Sequence, residues 1–240
     1  MFQGYTHETF EFFMAIRFNN NREFFQGNRD WYLRAVRGPS LALAEALAPT
    51  IEMIDEDIER RPNKVVSRIN RDIRFSKDKS PYRDYIWLSY KRPSEQKSAT
   101  LGFYFDVSDA GASYGMGFYG DNRPLMNALR TRLVREPEEF LEIWRPMRDE
   151  YPVFTSSFKR MAIPEGLHPE LREWYPAKGF YVAKDIKDFN LIQSPALADE
   201  IIEGFEKIAP LYRYMQAIMP EPEADETKVI DPWKDFAQYI

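Results

Sequence analysis

The chain has 240 residues, of which 44% are hydrophobic and 30% are charged, and its formal net charge at pH 7 is −5. This length and composition are sufficient for one large globular domain. The chain contains no cysteine, which excludes disulfides, thiol nucleophiles and thiolate metal sites.

The hydropathy pattern predicts a cytoplasmic protein with no membrane partner. No apolar run is long enough to cross a bilayer, and the first residues lack the basic and apolar segments of a signal peptide. The negative net charge disfavours broad binding to nucleic acid. The two histidines lack metal-ligand spacing, so no metal site is predicted. The sequence assigns no cofactor, no reaction and no oligomeric state.

The first fifty residues have the apolar spacing of helices. Thr6 is suited to cap a first helix. A second helix is predicted to begin near Asn20 and to end before Gly38 and Pro39, because this pair normally interrupts helices. Ser40 would then cap a third helix.

A change of pattern after the first helices predicts strands. Segments 85–91, 100–107 and 112–119 are rich in aromatic and β-branched residues, and short polar connections separate them. These features indicate adjacent antiparallel strands in a meander. Segment 178–184 is predicted to be a later strand.

Helices resume in the second half of the chain, with predicted starts at Pro124, Pro137 and Ser194. Pro210 is expected to kink or divide the last of them. The sequence therefore predicts an α+β fold in which a small antiparallel sheet is flanked by N-terminal and C-terminal helices. Residues 1–220 are expected to form a single domain, and residues 221–240 an acidic tail that docks in part.

The most distinctive feature of the sequence is a basic segment, residues 60–92. It has eleven basic and three acidic residues, a net charge of +8 in a chain of −5. If its central part is helical, Arg68, Arg71 and Asp72 share one face. If that part is extended, Asp72 shares a face with Arg74 instead.

Converging guanidinium groups suit phosphate or carboxylate, since their planar donors bind two oxygens at once. The leading hypothesis is a pocket for a small molecule that carries one of these groups. Asp72 would orient the arginines or act as a general base, and Tyr82 would donate a hydrogen bond. Phe75 and the nearby GFYF aromatics would form the wall. The predicted anion-binding residues are Arg68, Arg71, Arg74, Ser76, Lys79, Lys159 and Arg160.

Two alternatives remain open for the basic segment. The first is an internal network of ion pairs, for example with the acidic run 55–59, in a non-catalytic binding or scaffold protein. The second is local binding to nucleic acid, which the net charge disfavours. The anion pocket and the ion-pair network differ in one observable respect. In the pocket the guanidinium groups open onto a cavity, whereas in the network they contact protein carboxylates.

The run RINRDIRFSKDKSPYR, together with GFYFDV, PLMNALR and FKR, resembles an uncharacterised family known as domain of unknown function 2461. The central pattern is Arg-Asp-x-Arg-Phe-Ser-x-Asp-Lys-x-Pro-Tyr, which here spans Arg71 to Tyr82. Asn19 and Asn20 before an aromatic-rich helix are also similar. Phe158 stands where the family pattern has leucine. The resemblance implies a functional motif, without an activity, substrate or cofactor.

The run GMGFYG, residues 115–120, matches the G-x-G-x-x-G fingerprint of dinucleotide-binding proteins. That fingerprint needs a turn between a strand and a helix in a βαβ unit. Here it lies in a predicted antiparallel strand. We therefore interpret Gly115 and Gly117 as sites of close packing or of a bulge.

Overall fold

A computed structural model describes residues 1–74, 76–94 and 99–220 of the chain. Phe75, predicted to wall the anion site, and the predicted tail 221–240 lie outside these residues.

Helices occupy most of the first 65 residues. They are α1 (His7–Phe18), α2 (Arg22–Gly27), α3 (Arg29–Tyr32), a π-helical turn (Leu33–Arg37), α4 (Gly38–Ile54) and α5 (Pro62–Val65). Asn21 caps α2, because its side chain accepts a hydrogen bond from the Phe24 N–H at 2.9 Å. The helix predicted near Asn20 thus begins two residues later.

The predicted break at Gly38 and Pro39 is wrong, because the chain stays helical across it. The π-helical turn closes with the Gly38 N–H donating to the Leu33 carbonyl, and this wider turn accommodates the proline ring. Ser40 is therefore not a cap. Its buried hydroxyl donates to the Val36 carbonyl at 2.8 Å.

The predicted antiparallel sheet is confirmed. Its strands are β1 (Tyr85–Lys91), β2 (Gly102–Ser108), β3 (Gly111–Gly117), β4 (Val153–Ser157) and β5 (Ala177–Ile186). They pair antiparallel in the order β1-β2-β3-β5-β4, so the meander and the later strand are as expected. The sequence did not predict β4, which forms one edge.

The remaining helices are α6 (Arg123–Arg135), α7 (Pro137–Trp144), a 3-10 turn (Pro169–Leu171), α8 (Phe189–Ile192) and α9 (Ala196–Ala217). Pro210 lies inside α9 without dividing it. The α+β class is therefore confirmed. None of the helices in the described ranges is long and apolar enough to cross a membrane.

The hydrophobic core lies between one face of the sheet and the long helices. Phe103 of β2 packs against Phe205 and Tyr212 of α9, with both ring centroids 5.0 Å away. Gly204 allows this close approach, because a Cβ there would stand 2.1 Å from the ring of Tyr114. The contact fixes α9 across the middle of the sheet.

Candidate functional site

The central part of the basic segment is extended rather than helical. Residues 66–71 run antiparallel to residues 81–88 through bridges that join Val66 to Leu88 and Asn70 to Tyr82. The Arg71 N–H donates to the Pro81 carbonyl at 2.9 Å. The segment thus forms an irregular hairpin beside β1.

The side chain of Asn20 holds this hairpin on the N-terminal helices. Its amide donates to the Tyr82 carbonyl at 2.9 Å and accepts from the Tyr82 N–H at 3.0 Å. The Tyr82 ring is buried and stacks on Phe25, with ring centroids 4.3 Å apart. Two separate parts of the sequence pattern, Asn20 and Tyr82, therefore contact each other directly.

The predicted anion-binding residues of the hairpin mostly contact protein acceptors. Arg71 forms an ion pair with Asp78. Arg74 pairs with Asp72, with 2.9 Å between Nε and Oδ1. Lys79 donates to a backbone carbonyl at 3.0 Å. Arg71 and Arg74 are therefore paired with carboxylates of the hairpin itself.

The hydrogen bonds from Arg74 lower the pKa of Asp72 to about 2. A carboxylate with so low a pKa is ionised at neutral pH and is a weak base. Ser76 is half-buried, and Arg68 is exposed. The Arg68 backbone carbonyl accepts a hydrogen bond from Arg83 at 2.7 Å.

Cations at the two ends of the basic segment also pair with acids. Arg60 contacts Glu52, Arg61 contacts Glu59, and Arg92 contacts Asp55. The side chain of Asp55 is only 6% exposed. Burial, the largest single effect, raises the pKa of Asp55, but the hydrogen bonds from Arg92 and Tyr212 and the other favourable contacts together bring this pKa below its ordinary value. The acidic run 55–59 is thus a partner of the basic segment.

Lys159 and Arg160 do not join the hairpin. They follow β4, which forms the sheet edge opposite β1. Four strand spacings of about 4.8 Å place those edges roughly 19 Å apart. The structure therefore separates the predicted anion-binding residues into two groups.

Near Lys159 and Arg160 lies a cavity of about 230 Å³, here called the α6 pocket. It is lined by Arg123, Met126, Asn127, Arg130, Phe158, Met161 and Lys178. An adjoining surface depression is lined by Phe158, Lys159, Arg160 and Met161. None of the described residues that line either feature is acidic. Five cationic side chains therefore surround this region without a carboxylate among them.

Arg130 makes more hydrogen bonds than the other cations that line the α6 pocket. It donates to the Tyr175 carbonyl at 2.8 Å, to the Asn127 side chain at 2.6 Å and to the Ala177 carbonyl. Burial lowers the pKa of Arg130. The Phe158 ring centroid lies 5.5 Å from the Arg130 guanidinium carbon and 5.7 Å from Lys178 Nζ. These contacts fix the guanidinium without neutralising it.

Reasoning from the sequence did not identify Arg123 and Arg130 as site residues. Their signal is positional: Arg123, Asn127 and Arg130 recur at i, i+4 and i+7 and share one face of α6. PLMNALR and FKR, two segments that carry the family resemblance, both contribute to the pocket lining.

The fold and this pocket define an α+β protein with one antiparallel sheet and a cationic cavity beside its β5–β4 edge. Residues 8–214 match the family model described as "Conserved hypothetical protein (DUF2461)". The chain therefore belongs to this family. No curated protein matches the sequence closely enough to be called a relative.

Proposed function

We propose that this protein binds a small molecule carrying phosphate or carboxylate in the α6 pocket. Arg123, Arg130 and Lys178 contact the anion, and Lys159 and Arg160 increase the positive potential at the entrance. The observation that carries the proposal is that these cations surround a cavity of about 230 Å³ with no acidic residue among its described lining.

The state of Arg130 supports an anionic ligand. A partly buried charge is unfavourable unless it is paired, and Arg130 has no ion-pair partner among the described residues. A guanidinium has five N–H donors, of which the three hydrogen bonds to protein acceptors use three. An anion would supply the missing charge and accept from the remaining donors.

The location of the pocket adds further positive potential. Arg123 is the first residue of α6, and Asn122 caps this helix by accepting from the Leu125 N–H at 3.1 Å. The N-terminus of a helix carries a partial positive charge that favours anions.

The volume of the α6 pocket lies below the roughly 300–1,000 Å³ of sites for drug-sized ligands. The pocket therefore suits a ligand of metabolite size.

The second candidate function concerns the basic segment alone. The pairing of Arg71 with Asp78 and of Arg74 with Asp72 favours an internal network that fixes the hairpin. We assign these arginines a structural role and assign anion binding to the α6 pocket. We place the protein in the cytoplasm, a reducing compartment with which a chain without cysteine is compatible.

Thermal unfolding in the presence of inorganic phosphate or citrate tests the proposal. A ligand that binds only the folded state raises its stability, so the parent protein should melt at a higher temperature with the anion. The double variant Arg123→Gln/Lys178→Gln should lose this response. Neither side chain donates a hydrogen bond to another described residue, so the fold should be unaffected.

The matched control is Arg68→Gln/Lys77→Gln, which likewise removes two cations, in this case two exposed ones of the basic segment. It should keep the full response to phosphate. If the control lost the stabilisation by phosphate and the pocket variant kept it, the hairpin would be the anion-binding site. The absence of any anion response in the parent protein would contradict the proposal.

A further inference from the structure

The face of the sheet that points away from α9 has an unusual composition. Side chains that alternate with the core residues include Trp87, Tyr104, Asp106, Ser113, Phe154 and Tyr181. None of them makes a ring contact, hydrogen bond or ion pair with a described helix. In the described part of the chain, the side chains of this aromatic face are half-buried or exposed, and Arg83, which lies over the Trp87 ring, is not part of a helix.

Asp106 lies in the middle of the aromatic face without a compensating partner. Its cross-strand neighbours are Trp87 on β1 and Ser113 on β3. Its carboxylate makes no hydrogen bond or ion pair with other described residues. Burial, with a smaller contribution from Asp185, raises the pKa of Asp106 to about 6. Lys187 opposes this rise, but it forms its ion pair with Asp185, at 3.8 Å.

Three tyrosine rings lie beside this carboxylate. Tyr104 and Tyr181 belong to strands on either side of β3, and their ring centroids are 6.4 Å apart. They meet because Gly115 and Gly117 carry no side chains between them. Tyr119, which is 60% exposed, lies 5.6 Å from Tyr181. The three rings thus lie together on the face that carries Asp106, and that of Tyr119 is the exposed one.

The tyrosines stay neutral at physiological pH. Desolvation of its hydroxyl, followed by the charge of Asp106, raises the pKa of Tyr119, although most of this side chain is exposed. Burial also raises the pKa of Tyr104 and that of Tyr181, with Asp106 as a lesser cause in each. The charge of Asp106 thus acts on all three hydroxyls. Neutral tyrosine rings attract cations through their π faces.

We propose that the aromatic face binds a small alkylammonium cation, with Asp106 as its counter-ion and the rings of Tyr104, Tyr119 and Tyr181 around it. A ligand cation is attracted when it stands within about 6 Å of an aromatic centroid. The same face already holds one such contact, with the Arg83 guanidinium carbon 4.3 Å from the Trp87 centroid.

Charge decides between this ligand and a neutral one. A sugar ring would also stack on tyrosine, but it would leave the carboxylate of Asp106 uncompensated. A positively charged group supplies what the protein does not. The surrounding side chains, Trp87 on one side and the three tyrosines on the other, bound a site for a small molecule. The α6 pocket has the opposite charge, so the two proposals are independent.

Isothermal titration with choline tests this inference. The neutral analogue 3,3-dimethyl-1-butanol has the same shape without the charge, and both are titrated at equal ionic strength. We expect saturable binding of choline and none of the alcohol. Asp106→Asn should weaken choline binding at least fivefold, and Tyr119→Leu should also weaken it, since its exposed ring can be removed without disturbing the core.

Asp149→Asn serves as the control, because this carboxylate is 95% exposed and its removal changes the net charge equally. It should bind choline as the parent protein does. Equal binding of choline and the alcohol, or unchanged affinity in Asp106→Asn, would contradict the proposal. Much tighter binding of a trimethyllysine peptide than of choline would show that the site serves a protein partner instead.

Discussion

At the scale of single residues, two side chains differ from most of the charged groups in the described part of the chain. Arg130 and Asp106 are both partly buried, and neither forms an ion pair with a described residue. Most of the arginines in the basic segment, in contrast, contact carboxylates. Unpaired charge costs stability, so proteins usually retain it where function requires it. The two candidate sites are built on these two residues.

The replacement Asp106→Asn is predicted to stabilise the protein at neutral pH. The pKa of this carboxyl rises from 3.8 to about 6 on folding, so the folded state holds the proton more strongly. Ionising Asp106 therefore costs the folded state stability. This cost is absent below pH 4, develops as the pH rises towards 6, and is complete above that. Asparagine does not ionise, so the variant avoids the cost.

Denaturant unfolding at two pH values measures this effect. The difference between these two pKa values corresponds to at most about 3 kcal/mol, and because the carboxyl is partly exposed we expect the variant to gain about 1–2 kcal/mol at pH 7.5. The parent protein and the variant should have the same free energy of unfolding near pH 4. A variant that is less stable than the parent at pH 7.5 would show that Asp106 has a partner within the fold.

At the scale of elements, the hairpin of the basic segment depends on Asn20. Its side chain makes two hydrogen bonds with the backbone of Tyr82, and Asn20→Ala would leave both backbone groups without that partner. We expect a loss of about 1–3 kcal/mol in the free energy of unfolding. Asn19→Ala is the control, since the Asn19 amide bonds only the Ala15 carbonyl at an exposed helix end. If both variants lost the same free energy of unfolding, the two hydrogen bonds between Asn20 and Tyr82 would not hold the hairpin in place.

The packing of α9 on the sheet predicts an unusual response to alanine. Alanine favours a helix interior over glycine by about 1 kcal/mol. At Gly204, however, the new Cβ would overlap the Tyr114 ring, and overpacking costs about 1–3 kcal/mol. Gly204→Ala should therefore lower the thermal midpoint.

Gly27→Ala provides the comparison, because no atom lies within 4 Å of a Cβ at that position. This variant should leave stability unchanged or raise it by up to about 1 kcal/mol. If Gly204→Ala proved as stable as Gly27→Ala, α9 would not approach the sheet as closely as described.

Element types were predictable where the local pattern is strong. The meander followed from aromatic alternation and short turns, as in the TLGFYFDV run of β2. β4 was missed because four of its five residues, Val153–Ser157, are polar or exposed and it pairs only with β5. Gly38 and Pro39 led to the wrong prediction of a helix end, because the π-helical turn before them depends on packing rather than on a local sequence signal.

At the scale of the whole molecule, the charge pattern of the sequence pointed to the basic segment and not to the α6 pocket. A run of arginines is visible along the chain, but its pairing with Asp72 and Asp78 appears only in three dimensions. The cations of the α6 pocket come from α6 and the start of β5, and those of the adjoining depression come from the loop after β4. The sheet order β3-β5-β4 brings them together, and no local spacing encodes that order.

The central claim is that the α6 pocket, rather than the basic hairpin, binds the anion. The most direct measurement is a phosphate titration of the arginine Nε–H signals by NMR with ¹⁵N-labelled arginine. We predict saturable shifts of the Arg123 and Arg130 signals, while Arg71 and Arg74 stay unchanged in their ion pairs. Saturable shifts confined to Arg68, Arg71 and Arg74, or no saturable shift at any arginine, would contradict the account.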